Sequence, residues 1–271
     1  MKQQESFMPP AVARPDRSAL AYSAPALEKG LEIIELLAEA QEPLSTRAIA
    51  DRLGRSKGEI FRMVFVLVER GYLLRDPVTD ELKLSNRLFE LGMRTPRSRQ
   101  LVEVAAPAME RLSERIGQSS HLVVVNRGET VVIAAAVGGA DLSFTLRLGY
   151  RRSALDATSG QIILAFQDKD RRSRMLDEAL ESTDQAAERA EFNRSEFEAQ
   201  LDAIAARGHL VAQSHDVIGV TDIGAPILGR HGRAMAAIVV PYLNRHRARP
   251  EHDKVLADLV TTCGAIADEL N

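Results

Sequence analysis

Lys57 and Arg62 are the residues that first suggest chemistry, because a helix from Ser56 to about Arg70 would carry Arg62 on its open face and Lys57 at its amino end. Turning 100° per residue, Ile60, Met63, Val64, Leu67 and Val68 form an apolar stripe. The opposite face carries Gly58, Arg62, Phe65 and Val66, with Lys57 at the frayed amino end. A cationic helix edge of this kind enters the major groove of double-stranded DNA, where an arginine reads a guanine edge or grips a phosphate. Phe65 and Val66 leave two readings open: contact with thymine methyls, or packing on another helix of the same or a partner chain.

Other chemistry finds little support. The six histidines, His121, His209, His215, His231, His246 and His252, lack the paired spacing of zinc proteases. His246 and His252, in an arginine-rich stretch, read as surface residues. Neither a phosphate-cradling loop nor a serine nucleophile elbow occurs, so no catalytic residue, metal or cofactor is expected. The one cysteine, Cys263, cannot form an intrachain disulfide and reads as a packing residue in a reducing compartment. No run approaches the roughly 20 apolar residues that span a bilayer, and Met1–Glu5 does not open like a signal peptide, which points to the cytoplasm.

The elements that must position Lys57 and Arg62 follow from punctuation. With 271 residues, two domains are the default. Residues 1–24 read as an arm, either inert or reaching a groove through Arg14 and Arg17. Leu27, Leu31, Ile34, Leu37 and Ala38 recur at helical spacing and predict a first helix that ends before Pro43. Ser45 can cap a second helix, opening at Thr46 and burying Ile49, Ala50 and Leu53 before Gly54 stops it. Arg55 alone separates Gly54 from Ser56-Lys57-Gly58-Glu59, a capping box that starts the third helix. Helix, tight turn and capped helix make a helix-turn-helix. The runs Tyr72–Arg75 and Glu81–Leu84, either side of a turn at Asp76–Asp80, predict a two-stranded wing, for a DNA-binding domain over residues 25–85. The net charge of −3 is unevenly spread: residues 25–100 hold 13 Lys/Arg and 12 Asp/Glu, residues 101–271 hold 19 and 24. The first third is thus the better face for a polyanion.

The run from Ala26 to Leu31, together with Arg70–Pro77 and Leu88–Gly92, resembles the isocitrate lyase regulator (IclR) family of bacterial transcription factors. Lys57 and Arg62 match lysine and arginine in that family's helix-turn-helix. Gly58 and Glu59 replace small hydroxyl residues there, Phe65 a basic residue and Asp80 the wing glycine. The DNA-contacting candidates are Ser45, Thr46, Ser56, Lys57, Gly58, Glu59, Arg62 and Arg75.

Residues 86–100, broken at Pro96, read as a connecting helix and hinge, and residues 101–271 as the second domain. There, helices at Leu101–Ile116, about 160–181, 193–207 and from Glu251 alternate with strands at 120–126, 130–137, 142–148, 209–213, 222–228 and 235–242. That pattern is α+β, one sheet flanked by helices. The resemblance implies a GAF-like effector-binding domain, a homodimer or dimer of dimers, and a small organic effector. It places the ligand near two anchors, Ala157–Gln161 and Gly219–Pro226, with candidates Thr158, Ser159, Gly160, Ala212, Asp222, Ile223, Val239 and Pro241. Burying a small 2-oxo acid requires several donors, which this set lacks. A larger, mainly apolar or aromatic ligand with a polar group directed at Asp222 is therefore expected, unless Asp222 only bonds local groups. A competing expectation is that free amides at Thr158-Ser159-Gly160 hold an anionic group.

Overall fold

The computed structural model describes residues 24–40, 42–93, 96–139, 143–182, 192–215, 217–244 and 251–271. Arg14 and Arg17 of the expected arm, Arg94 of the expected hinge, Leu142 and His246 lie outside them. The chain divides into two compact units, one ending at Arg99 and the other beginning at Gln100.

In the first unit, helices α1 (Pro25–Glu39), α2 (Thr46–Leu53) and α3 (Lys57–Glu69) precede strands β1 (Leu73–Arg75) and β2 (Leu82–Leu84) and helix α4 (Arg87–Met93). The caps form as their residue types dictate. Ser45 Oγ accepts from the Ala48 amide at 3.2 Å, and Gly54 ends α2 with a left-handed φ of 62°. Ser56 and Glu59 close the reciprocal box that starts α3. Inside, Ile33, Leu37, Leu44, Ile49, Ala50, Ile60, Val64, Leu73 and Leu82 make one core. The wing strands pair antiparallel, Leu73 with Leu84 and Arg75 with Leu82, and Leu44 bridges to Leu82. Asp80 sits at φ 60° in the wing turn. An aspartate tolerates that conformation better than most side chains, so the family's glycine is dispensable here.

One expectation in this unit fails. Of the expected α1 stripe Leu37 is buried and Ile34 half-buried, but Leu27, Leu31 and Ala38 are exposed, and Ile33 from outside the stripe is buried instead. α1 is apolar on two arcs, and its period alone cannot say which arc α2 and α3 cover.

The second unit is an antiparallel sheet in the order β5-β4-β3-β8-β7-β6. Its strands are β3 (Ser120–Asn126), β4 (Glu129–Ala136), β5 (Arg151–Ser153), β6 (Leu210–Gln213), β7 (Val220–Leu228) and β8 (Ala234–Leu243). Helices α5 (Pro96–Ile116) and α9 (His252–Leu270) pack on one face through Ala105, Met109, Leu112, Leu259, Cys263 and Ile266, against Leu122, Ile223 and Ile238. On the other face lie α6 (Thr158–Ala165), α7 (Lys169–Ser182) and α8 (Arg194–Arg207), meeting Ala237 of β8 through Ile162, Leu164, Leu176, Leu201 and Ile204. Proline begins α5, five residues before the expected start, because its missing amide costs nothing in a first turn. The stretch expected as one helix over 160–181 breaks after Ala165, and Asp168 caps α7 by accepting from the Arg171 amide at 2.9 Å.

Residues 143–148, expected as strand, carry none, and β5 forms further on. The alternation is real but serves a strap held by side chains. Leu146 N–H donates to His121 Nε2 at 2.8 Å, and Thr145 Oγ1 donates to Ser119 Oγ at 2.9 Å. Burial alone lowers the His121 pKa from 6.5 to about 4, so the ring is neutral and its Nε2 is free to accept that amide.

Two predictions follow from this packing. A Cβ at Gly160 would stand 2.5 Å from Ala154 Cα, so Gly160→Ala should cost about 2–3 kcal/mol, read from chemical denaturation followed by circular dichroism. Because the His121 pKa is lower folded than unfolded, the unfolded chain binds the extra proton between about pH 6.5 and 4. The stability this residue confers is complete above that window and lost as pH falls through it, on the order of 3 kcal/mol in all. In the same assay, His121→Gln should show a shallower loss of stability than the parent between pH 7 and 5.

Candidate DNA interface and effector site

On α3 the inward stripe is anchored by Ile60 and Val64, both fully buried, which turns Lys57, Gly58, Phe61, Arg62, Phe65 and Val66 to solvent. Of the eight DNA candidates, three side chains have local partners that fix the backbone. Ser45 and Ser56 are caps, and Glu59 is held by Lys29 Nζ at 2.6 Å and by Ser56. Those bonds, the lysine's first, lower the Glu59 pKa to about 2, so it stays an anion engaged with its own unit. Arg62 Nε donates to the Gly58 carbonyl at 3.3 Å on the exposed side, and Arg75 pairs with Asp80 at 2.7 Å. Thr46 is half-buried in the first turn of α2. Arg47 and Arg52 of α2 are exposed, and neither was singled out by sequence reasoning because α2 was read only for its caps and core. Phe61 was missed as well, since it lies at the margin of the helical wheel.

The effector candidates converge on the α6 face of the sheet. β7 and β8 pair Asp222 with Pro241 and Gly224 with Val239, and β6 sets Ala212 beside Asp222. Thr158 Oγ1 donates to Asp222 Oδ2 at 3.2 Å, joining the first turn of α6 to β7. A Cβ built at Gly224 would run into Ile162 Cδ1 and meet Val239 Cγ2 at 3.3 Å and Thr158 Cγ2 at 3.4 Å, so these three side chains pack together over Gly224. Ser159 is buried beside Thr158.

Two candidates stand apart. Ile223 points to the opposite face and is packed in the α5–α9 core, because neighbours along a strand alternate sides. Gly160 offers only backbone, since it lies against Ala154. His121 was missed. It pairs with Val239 across β3 and β8 and so belongs to the α6 face, together with the strap that it holds. The run Ser120–Asn126 reads as a strand but has no polar and apolar alternation to orient it, and no sequence feature said which face receives a ligand.

Cys263 is buried against Ala225, and burial lifts its thiol to about 12, an inert packing group. His252 is half-buried in the first turn of α9, bonded to Asn244 and edge-on to Tyr242, rather than a loop residue. Among the described residues no cluster of three His, Cys, Asp or Glu side chains could hold a metal, and no helix is long and apolar enough to cross a membrane.

Comparison with known proteins joins both units. The IclR helix-turn-helix domain matches residues 26–77, and the C-terminal domain of bacterial IclR transcriptional regulators matches residues 93–268. The HTH-type transcriptional regulator BhcR of Paracoccus denitrificans is 30% identical over 237 residues, 83% of this chain and 80% of that protein. KdgR of Escherichia coli, another HTH-type transcriptional regulator, is 22% identical over 238 residues, 88% of this chain and 89% of its own. The crystal structure of an IclR homolog from Microbacterium hydrocarbonoxydans complexed with 4-hydroxybenzoate superposes with a TM-score of 0.73 at 20% identity, covering 90% of this chain and 98% of that one. With both of its units matched to the two domains of one family, the chain belongs to the IclR family of HTH-type transcriptional regulators.

Proposed function

We propose that α3 is the recognition helix, inserted in the major groove of an operator, and that a small effector bound on the α6 face of the second unit changes operator affinity. The observation that carries the first half is the exposure of Lys57 at the amino end of α3 and of Arg62 on its outer face, while Ile60 and Val64 on the opposite face are buried in the core. Arg47, Arg52 and Arg75 supply phosphate contacts around it. The protein acts in the cytoplasm as a homodimer or dimer of dimers and performs no catalysis. Ligand binding shifts the population between arrangements of the paired DNA-binding units, whose spacing must match the roughly 34 Å repeat of DNA.

The second half rests on Asp222. The N-terminus of α6 attracts an anion, and Ala157 supplies no side-chain cap there. Asp222, bonded to Thr158, sets the chain's own carboxylate beside that first turn. An anionic effector group would be repelled rather than held. With Val239, Pro241 and Ala212 around it, the site favours an uncharged, largely apolar ligand whose hydroxyl or amide donates to Asp222. The 4-hydroxybenzoate held by the Microbacterium homolog supports the aromatic part of this reading; its carboxylate sets that ligand apart from the uncharged one proposed for this chain.

Genomic fragments selected on the protein provide the DNA. In fluorescence anisotropy, the double variant Lys57→Ala, Arg62→Ala should bind a selected fragment at least tenfold more weakly, with a salt dependence shallower by about two phosphate contacts. Unchanged affinity would remove α3 as the recognition helix. In thermal-shift assays, 4-hydroxybenzamide and related neutral phenols should raise Tm, an effect lost in Asp222→Ala, while glyoxylate should not. Tighter binding of glyoxylate than of any aromatic compound would refute the effector reading.

A further inference from the structure

Half of the surface of three large apolar residues is left in water on α3, with Phe61 at 54%, Phe65 at 55% and Val66 at 50% exposure. Phe61 and Phe65 lie one turn apart and flank the line from Gly58 to Arg62. The exposed stretch is not an accident of a loose helix. Its start is fixed by the capping box, and the ion pair of Glu59 with Lys29 ties that start to α1. Solvent-facing phenylalanines on so well anchored an element need an occupant.

The surroundings say what kind. Residues 46–70 carry six arginines or lysines, Arg47, Arg52, Arg55, Lys57, Arg62 and Arg70, against three acids. Arg55 and Glu59 are spent on Glu32 and Lys29, and Arg47, Arg52, Lys57, Arg62 and Arg70 remain exposed around the apolar edge. An apolar strip bordered by cations suits a polyanion that displays apolar groups between its charges. The major groove does so at thymine, whose C5 methyl is the only aliphatic group among the base edges. Gly58 adds clearance, because a Cβ there would meet nothing within 4 Å. A second copy of the chain has a different apolar surface to use, the arc of α1 with Leu27 and Leu31, which is not bordered in this way.

The geometry points to Phe61 and Phe65 as specificity-determining residues that read thymine methyl groups in the operator. This rests on α3 being the recognition helix. Arg62 and Lys57 provide grip and register, and the two rings select A·T pairs at the positions they cover by excluding water from the methyls. Val66 lies on the far side of Arg62 and is not needed for the contact.

The test uses full-length protein and duplexes selected from a random library, each then remade with deoxyuridine for thymidine, which removes only the methyl. Selected half-sites should be rich in A·T pairs, and each contacted methyl lost should weaken binding roughly fourfold. In Phe61→Ala and Phe65→Ala the ratio of thymidine to deoxyuridine affinity should fall toward one while the salt dependence is retained. Equal binding of both duplexes by the parent protein, or an undiminished ratio in both variants, overturns the inference. So does dissociation of the oligomer by Phe65→Ala in sedimentation together with an unchanged ratio, which assigns the ring to an interface between copies. If Lys57→Ala, Arg62→Ala binds as the parent does, the recognition helix itself is misplaced. If that variant loses DNA but deoxyuridine has no effect, only the methyl reading fails.

Discussion

The burial of Ile60 and Val64 beneath α1 and the wing is the contact on which the DNA-facing unit depends. Each fully buried aliphatic side chain contributes about 1.5–3 kcal/mol, far more than any exposed ion pair nearby. That burial fixes the rotation of α3 about its axis. Rotation decides which residues meet a partner, and a half-turn would hide Arg62. The capping box and the bond of Lys29 to Glu59 then fix where the helix begins, so both degrees of freedom that matter for insertion in a groove are set within the unit.

The second unit solves a different problem, the burial of polar groups around the sheet face proposed above to hold the effector. α6 is buried along nearly its whole length, and its amino end meets β7 through Thr158 and Asp222. The strap over 143–148 is secured by side chains rather than by a ladder, which costs fewer bonds to open than a paired strand would. His121 serves there only while neutral, as its burial ensures. Polar side chains that bond one another across elements thus shape the site, and the apolar layer of Ile162, Leu164 and Leu201 behind them supplies the stability.

Features encoded by local chemistry were legible in the chain. Gly54, Ser45 and the Ser56–Glu59 box are recognised from residue type and short spacing, and each forms as expected. Order and spacing of elements sufficed for the winged helix-turn-helix and the α+β second unit. Choices made by tertiary packing were not legible. The stripe that joins Leu27 and Leu31 to Leu37 has as good a period as the one that joins Ile33 to Leu37, and only α2 and α3 decide between them. Residues 143–148 alternate like a strand, yet no neighbouring strand pairs with them, and of the apolar positions Phe144 and Leu146 are half-buried while Leu148 is exposed. Ile223 shows a limit of transferring a motif as a block, since its neighbour Asp222 necessarily faces the other way. His121 was judged by its type rather than by the face its strand presents, and Phe61 lies at the margin of the helical wheel.

The account stands or falls on where the amino end of α3 lies when the protein holds DNA. Gly58→Cys places a thiol at an open position, and the native Cys263 is too buried to compete with it. Disulfide trapping against a selected duplex, with a thiol tether on the major-groove or the minor-groove edge of a base, measures that placement directly. The account requires capture by major-groove tethers within the half-site. Capture by minor-groove tethers alone, or none while the duplex remains bound, would contradict it.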